Sequence, residues 1–120
     1  MVNILAIDDD EKTTFLLEDC LKNTGYNIIT KNNGCEGLSA FNRDENIDIV
    51  ITDIEMPGLN GNEVAKQIRK SRNSRRRKTP IIALTGTMGT NIEKGLFNFV
   101  MKKPVKLREL LTTIDSYSHN

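Results

Sequence analysis

Five apolar runs of strand length recur along this chain, and helical spacing or a turn follows each of them. The runs fall at residues 2–7, 26–30, 47–53, 80–84 and 97–101. Strand alternating with helix five times predicts a parallel sheet with helices on both faces. Right-handed crossovers then bring the carboxyl end of every strand to one edge. The third run, Ile47-Asp48-Ile49-Val50-Ile51-Thr52-Asp53, is nearly continuous and β-branched. Such a run suits a strand buried on both faces at the centre of the sheet.

Between the runs, Phe15, Leu16, Leu17, Cys20 and Leu21 recur at helical spacing, with Asp10 as N-cap and Gly25 as stop. Glu36, Leu38, Ala40 and Phe41 predict a second helix after a turn through Asn32-Asn33-Gly34. Val64, Ala65 and Ile68 mark a third, and Leu107, Leu110, Leu111 and Ile114 the last.

A chain of 120 residues is one domain with room for a real core. No apolar run approaches the ~20 residues of a membrane span, and no signal-peptide pattern precedes the first strand. A cytoplasmic protein is the expectation. Cys20 and Cys35 lack metal-ligand spacing and read as free thiols. The net charge of +1 is unevenly spread. Residues 66–78 hold eight Lys or Arg and no acid, which leaves nine bases against sixteen acids elsewhere.

The predicted sheet gathers Asp8, Asp9, Asp53, Thr85 and Lys103 on one rim. Taken singly, each has a bland reading: an acidic run caps a helix, a Thr sits in a turn, a Lys beside Pro is surface. Together they are chemically complementary. Converging carboxylates repel one another unless a cation lies among them, and magnesium accepts a few carboxylates plus waters and phosphate oxygens. An Asp nucleophile that forms an aspartyl phosphate is an established covalent strategy. Phosphoryl transfer is catalysed mainly by positioning and charge neutralisation, which an ammonium, a hydroxyl and a metal supply. Gly86 after Thr85 leaves room for the group to approach.

Ile7-Asp8-Asp9, Thr52-Asp53 with Met56-Pro57-Gly58 and Gly61, Leu84-Thr85-Gly86 and Lys103-Pro104 occur in this order. In these pieces, from Asn3 to about Tyr117, the chain resembles the receiver domain of two-component response regulators, of the chemotaxis-regulator type. The resemblance implies a flavodoxin-like sheet of strand order 2-1-3-4-5. It implies Asp53 as phosphoacceptor, and a magnesium site of Asp9 directly, Asp8 largely through water, Asp53, and the backbone carbonyl of Glu55. It also implies Thr85 as switch hydroxyl, Lys103 as phosphate-pairing lysine, and a cis Lys103–Pro104 bond. The implied donor is a histidine kinase or histidine phosphotransfer protein, and the implied receiver of the signal a downstream output domain or protein. Such a domain promotes its own phosphorylation and dephosphorylation without being a free-standing turnover enzyme. It acts alone or as the receiver part of a hybrid sensor kinase.

Two departures from the family pattern stand out. Thr85 and Lys103 are eighteen positions apart, about one helical turn shorter than the family pattern. Thr87-Met88-Gly89-Thr90-Asn91 and Gly95 are poor helix formers, so a short or irregular fourth helix is expected there. The switch aromatic, three places before the lysine, is replaced by Val100. A shift of one would give Phe99 that place and Lys102 the phosphate; lysine directly before proline favours Lys103.

The basic run at residues 69–78 raises a rival reading, a receiver-like module that binds nucleic acid or an acidic partner by electrostatics. Without an interleaved aromatic to stack on bases, a solvated loop is the plainer expectation. His119 reads as a terminal residue rather than a phosphodonor.

Overall fold

The computed structural model describes residues 1–86 and 91–118. Chain order is β1 (Asn3–Ile7), α1 (Glu11–Asn23), β2 (Asn27–Lys31), α2 (Gly34–Arg43), β3 (Ile49–Asp53), α3 (Gly61–Arg69), α4 (Ser74–Arg77), β4 (Ile81–Thr85), β5 (Phe99–Lys102) and α5 (Leu107–Ser118). The strands form one parallel sheet of order β2-β1-β3-β4-β5. This is the flavodoxin-like arrangement expected from the sequence.

Period-two alternation divides the core between the faces of the sheet. Ile4, Ala6, Ile49, Ile51, Ile82 and Leu84 pack with Leu17 and Leu21 of α1 and with Leu110 and Ile114 of α5. Leu5, Ile7, Val50 and Ile81 pack with Ala40 and Phe41 of α2 and with Val64, Ala65 and Ile68 of α3. All five residues of β3 are buried, as are all five of β4, which puts Asp53 and Thr85 at the ends of two fully enclosed neighbouring strands.

Helix starts are set by side-chain caps. Asp10 accepts from Lys12 N at the head of α1, as its position predicts. Asn33 does the same for α2 through Glu36 N, so Gly34, expected in a turn, is the first helical residue. A Cβ on Gly34 would overlap the Leu59 carbonyl, so close approach rather than a turn requires the glycine. Asn60 and Glu63 close a reciprocal capping box on α3.

Phe15 and Leu16 are not on the packed face of α1: they are 73% and 40% exposed, and only Leu17 and Leu21 of that helix are buried. Five apolar residues within seven positions span more of a helix than one sheet can cover.

The basic stretch is not simply a solvated loop. Asn73 caps the single turn of α4 by accepting from Arg75 N and Arg76 N. The Arg76 guanidinium lies 4.1 Å from the centre of the Phe41 ring. It donates to the Phe41 carbonyl and, at 3.0 Å, to that of Asp44, satisfying carbonyls at the end of α2. Arg75 pairs with Asp48 at 3.1 Å.

All five N–H donors of Arg69 also find acceptors. Nε and Nη2 reach the Leu96 carbonyl, Nη2 also reaches Asn98 Oδ1, and Nη1 reaches the carbonyls of Arg77 and Thr79. Asn98 in turn exchanges hydrogen bonds with Ile81, which ties the start of β5 to the start of β4.

Of the fourth helix expected between Thr85 and Lys103, residues 87–90 lie outside the described residues. Residues 91–98 form turns and bends with no helix. His119 also lies outside the described residues.

Candidate functional site

The carboxyl edge of the sheet closes around three carboxylates. β1 ends at Ile7, so Asp8 and Asp9 follow directly, and β3 delivers Asp53 from the adjacent strand. Asp8 has no exposed surface and Asp53 is 4% exposed, whereas Asp9 faces solvent. One oxygen from each lies within 4.8 Å of the others, close enough for all three to share one cation. Asp8 Oδ1 accepts from Asp10 N at 2.9 Å, which fixes the orientation of that carboxylate.

Lys103 enters from the end of β5. Pairing of Thr85 with Lys102, and a bond from Lys103 N to the Thr85 carbonyl at 2.8 Å, carry the chain to the pocket. The Lys103–Pro104 bond is cis. Lys103 Nζ then lies 2.8 Å from Asp8 Oδ2 and 3.4 Å from Asp53 Oδ2. The closer contact is an ion pair without the alignment of a hydrogen bond, and Asp8 Oδ2 has no hydrogen-bond partner among the described residues. Lys102, the alternative by sequence, is exposed.

Thr85 is buried at the end of β4, one residue beyond the Asp53–Leu84 pair. Glu55 lies in the exposed loop after β3. Val100 and Phe99 are 43% and 36% exposed, so neither fills the interior beside Thr85.

Burial pushes the Asp53 carboxyl up to about 7, the Asp8 carboxylate adds to that rise, and Lys103 opposes it. The Lys103 ammonium stands above its ordinary value although burial opposes its charge, because Asp8 and Asp53 outweigh that cost. One ammonium therefore faces more negative charge than it neutralises. A hard divalent cation fits this donor set: it would relieve the repulsion and engage the Asp8 oxygen that has an ion pair but no hydrogen bond.

The loop after β3 is held close. Gly61 N donates to the Ile54 carbonyl at 2.9 Å, and a Cβ on Gly61 would overlap the Asp53 carbonyl. The first turn of α3 thus rests on the backbone of Asp53. The sequence reading passed over the next residue, Asn62, whose side chain bonds to Asn91 and Glu93. Its only signal is the helical spacing of Asn62, Lys66 and Arg69, a pattern shared by any solvated helix face.

The response regulator receiver domain family matches residues 4–115. The transcriptional regulatory protein CpxR homolog of Haemophilus influenzae is 36% identical over 119 residues, covering 95% of this chain and 49% of its own length. The chain thus spans about half the length of the curated relatives it matches. The crystal structure of response regulator protein TrrA from Thermotoga maritima, in complex with Mg(2+)-BeF, is 34% identical with a TM-score of 0.86. It covers 98% of this chain and 99% of that one. A chain from the complex of histidine kinase ThkA with TrrA is also 34% identical, with a TM-score of 0.85 and coverage of 99% and 100%. With the family match running from the first strand into the last helix, and a sheet of order 2-1-3-4-5 beneath it, this chain belongs to the response regulator receiver domains of two-component signalling.

Proposed function

We propose that the domain accepts a phosphoryl group on Asp53 from a histidine kinase or histidine phosphotransfer protein and passes the signal to an output domain or protein. The observation that carries this reading is the convergence of Lys103 Nζ and the Asp8 and Asp9 carboxylates on the Asp53 side chain. An Asp53 oxygen attacks phosphorus, the bond from phosphorus to the donor's nitrogen breaks, and an acyl phosphate forms. Lys103 leaves its ion pair with Asp53 to pair with a phosphoryl oxygen, and the Thr85 hydroxyl takes another.

Magnesium, held by Asp8, Asp9, Asp53 and the Glu55 carbonyl, would neutralise phosphoryl charge and favour the ionised, nucleophilic form of Asp53. The Mg(2+)-BeF complex of TrrA supports this choice of metal, and the ThkA–TrrA complex supports a kinase as donor. A cytoplasmic location is the reading that accords with such a donor. Among the described residues no helix is long and apolar enough to cross a membrane.

The rival reading, a nucleic-acid or acidic-partner module, loses ground because Arg69, Arg75 and Arg76 are engaged by the protein's own carbonyls and by Asp48. The test is incubation with acetyl phosphate and magnesium, read by intact mass. The parent gains one phosphoryl group and Asp53→Asn gains none. An undiminished adduct on the variant contradicts the proposal.

A further inference from the structure

Asn62 is 7% exposed in the first turn of α3, and both ends of its carboxamide bind a segment 29 to 31 positions later. Nδ2 donates to the Asn91 carbonyl, and Oδ1 accepts from Glu93 N at 3.0 Å. One turn on, Lys66 pairs with Glu93 at 2.9 Å. Arg69 then holds the Leu96 carbonyl through Nη2 at 2.8 Å. Spacings of four and three put these side chains in one stripe along the helix. Polar side chains of α3 therefore hold residues 91–98 along the segment, while Leu96 and Phe97 pack against the core cluster that includes Val64, Ala65 and Ile68.

The other side of this linkage is the acid pocket. Gly61, directly before Asn62, is seated against the Asp53 carbonyl and bonded to Ile54. A shift of the backbone at Asp53 must move the first turn of α3, since no free space separates them. Asn62 is the next residue in that turn, and its carboxamide holds Asn91 and Glu93. The position of the switch aromatic on β5 offers no comparable route, because Val100 is small, stiff at χ1 and 43% exposed.

We propose that Asn62 is a positioning residue that sets the place of residues 91–98 and carries a change at Asp53 to them. The proposal rests on Asp53 being the phosphoryl acceptor. The chain of contacts is short: Asp53 backbone to Gly61, Gly61 to Asn62, Asn62 carboxamide to Asn91 and Glu93. At its far side the segment is held by Arg69 at Leu96 and Asn98, and by Asn98 to Ile81 of β4, so the Asn62 end is the one free to respond.

The test is amide hydrogen exchange on the parent, Asn62→Leu and Asn62→Asp, each with and without beryllofluoride and magnesium. Fluorine NMR of the bound beryllofluoride reports whether the mimic has bound. In the parent, the mimic changes exchange across residues 91–98. Asn62→Leu binds the mimic as the parent does, but its Glu93 amide exchanges about ten-fold faster without the mimic, and the response at residues 91–98 is lost. Asn62→Asp fills the same volume and keeps the acceptor for Glu93 N, so its response is reduced rather than lost.

A full response at residues 91–98 in both variants overturns the proposal. So does a parent that binds the mimic with no change there. A parent that binds no mimic overturns phosphoryl acceptance at Asp53 and the link from Asp53 with it, while unchanged Glu93 exchange in the mimic-free variants overturns the positioning role by itself.

Discussion

Lys103 Nζ lies 2.8 Å from Oδ2 of Asp8, a carboxylate with no exposed surface and no other partner for that oxygen among the described residues. This contact comes from opposite sides of the sheet's centre: β1 supplies the acid, and edge strand β5 the base. Without the ammonium, Asp8 and Asp53 would face each other across the pocket. Lys103→Met is therefore expected to lower unfolding free energy in metal-free buffer by about 1–3 kcal/mol. The same variant should be phosphorylated more slowly by acetyl phosphate. Urea unfolding and a phosphorylation time course check the two effects, and parent-like values in both would show that the ion pair is incidental.

Metal binding should depend most on the exposed acid. Among the described residues Asp9 has no ion-pair partner in the pocket, whereas Asp8 and Asp53 share Lys103. Magnesium that binds only the folded state stabilises it by about 2.7 kcal/mol at a hundred times its dissociation constant. Melting of the parent should rise with magnesium, Asp9→Ala should show no rise, and Asp8→Ala should keep part of it. A full magnesium shift in Asp9→Ala would remove that residue from the site.

Arg69 and Arg72 lie three positions apart and should behave differently. Arg69 satisfies carbonyls of Leu96, Arg77 and Thr79, whereas Arg72 is exposed. Arg69→Met leaves the partly buried carbonyls of Leu96 and Thr79 without this donor and should cost at least about 2 kcal/mol; Arg72→Met should stay within about 0.5 kcal/mol of the parent. Equal denaturant midpoints for the two variants would contradict the role given to Arg69.

Replacing Arg75, Arg76 and Arg77 together with Gln separates the receiver reading from its electrostatic rival. Loss of the Arg76 contact with Phe41 and of the Arg75–Asp48 pair should lower the melting temperature while phosphorylation of Asp53 continues. Binding of nucleic acid or an acidic protein by the parent, lost in the folded variant, would favour the rival.

The sheet and its acidic rim were legible in the sequence because both depend on short-range pattern. Runs such as Ile49-Val50-Ile51 exclude other placements, and strand order then puts Asp8, Asp9 and Asp53 on one edge. Strand ends were displaced by one or two residues, since ladder bonds such as Asn27 N to the Val2 carbonyl decide where pairing begins. The face of α1 was misjudged because Phe15 is as apolar as Leu17, and only the sheet's position distinguishes them. Asn62 and Asn98 escaped notice, and Arg69 was counted into a solvated basic run, for a different reason. Each acts through side-chain bonds to distant backbone, which leave no periodic trace, and polar residues on α3 look the same whether solvated or engaged.

Reductive trapping with borohydride tests the central claim most directly, because it converts an aspartyl phosphate to homoserine at the residue that carried it. After acetyl phosphate and magnesium, peptide sequencing by mass spectrometry should find homoserine at position 53 and at no other Asp. Homoserine at Asp8 or Asp9 with position 53 unchanged, or no conversion in a domain that has gained a phosphoryl group, would contradict the account.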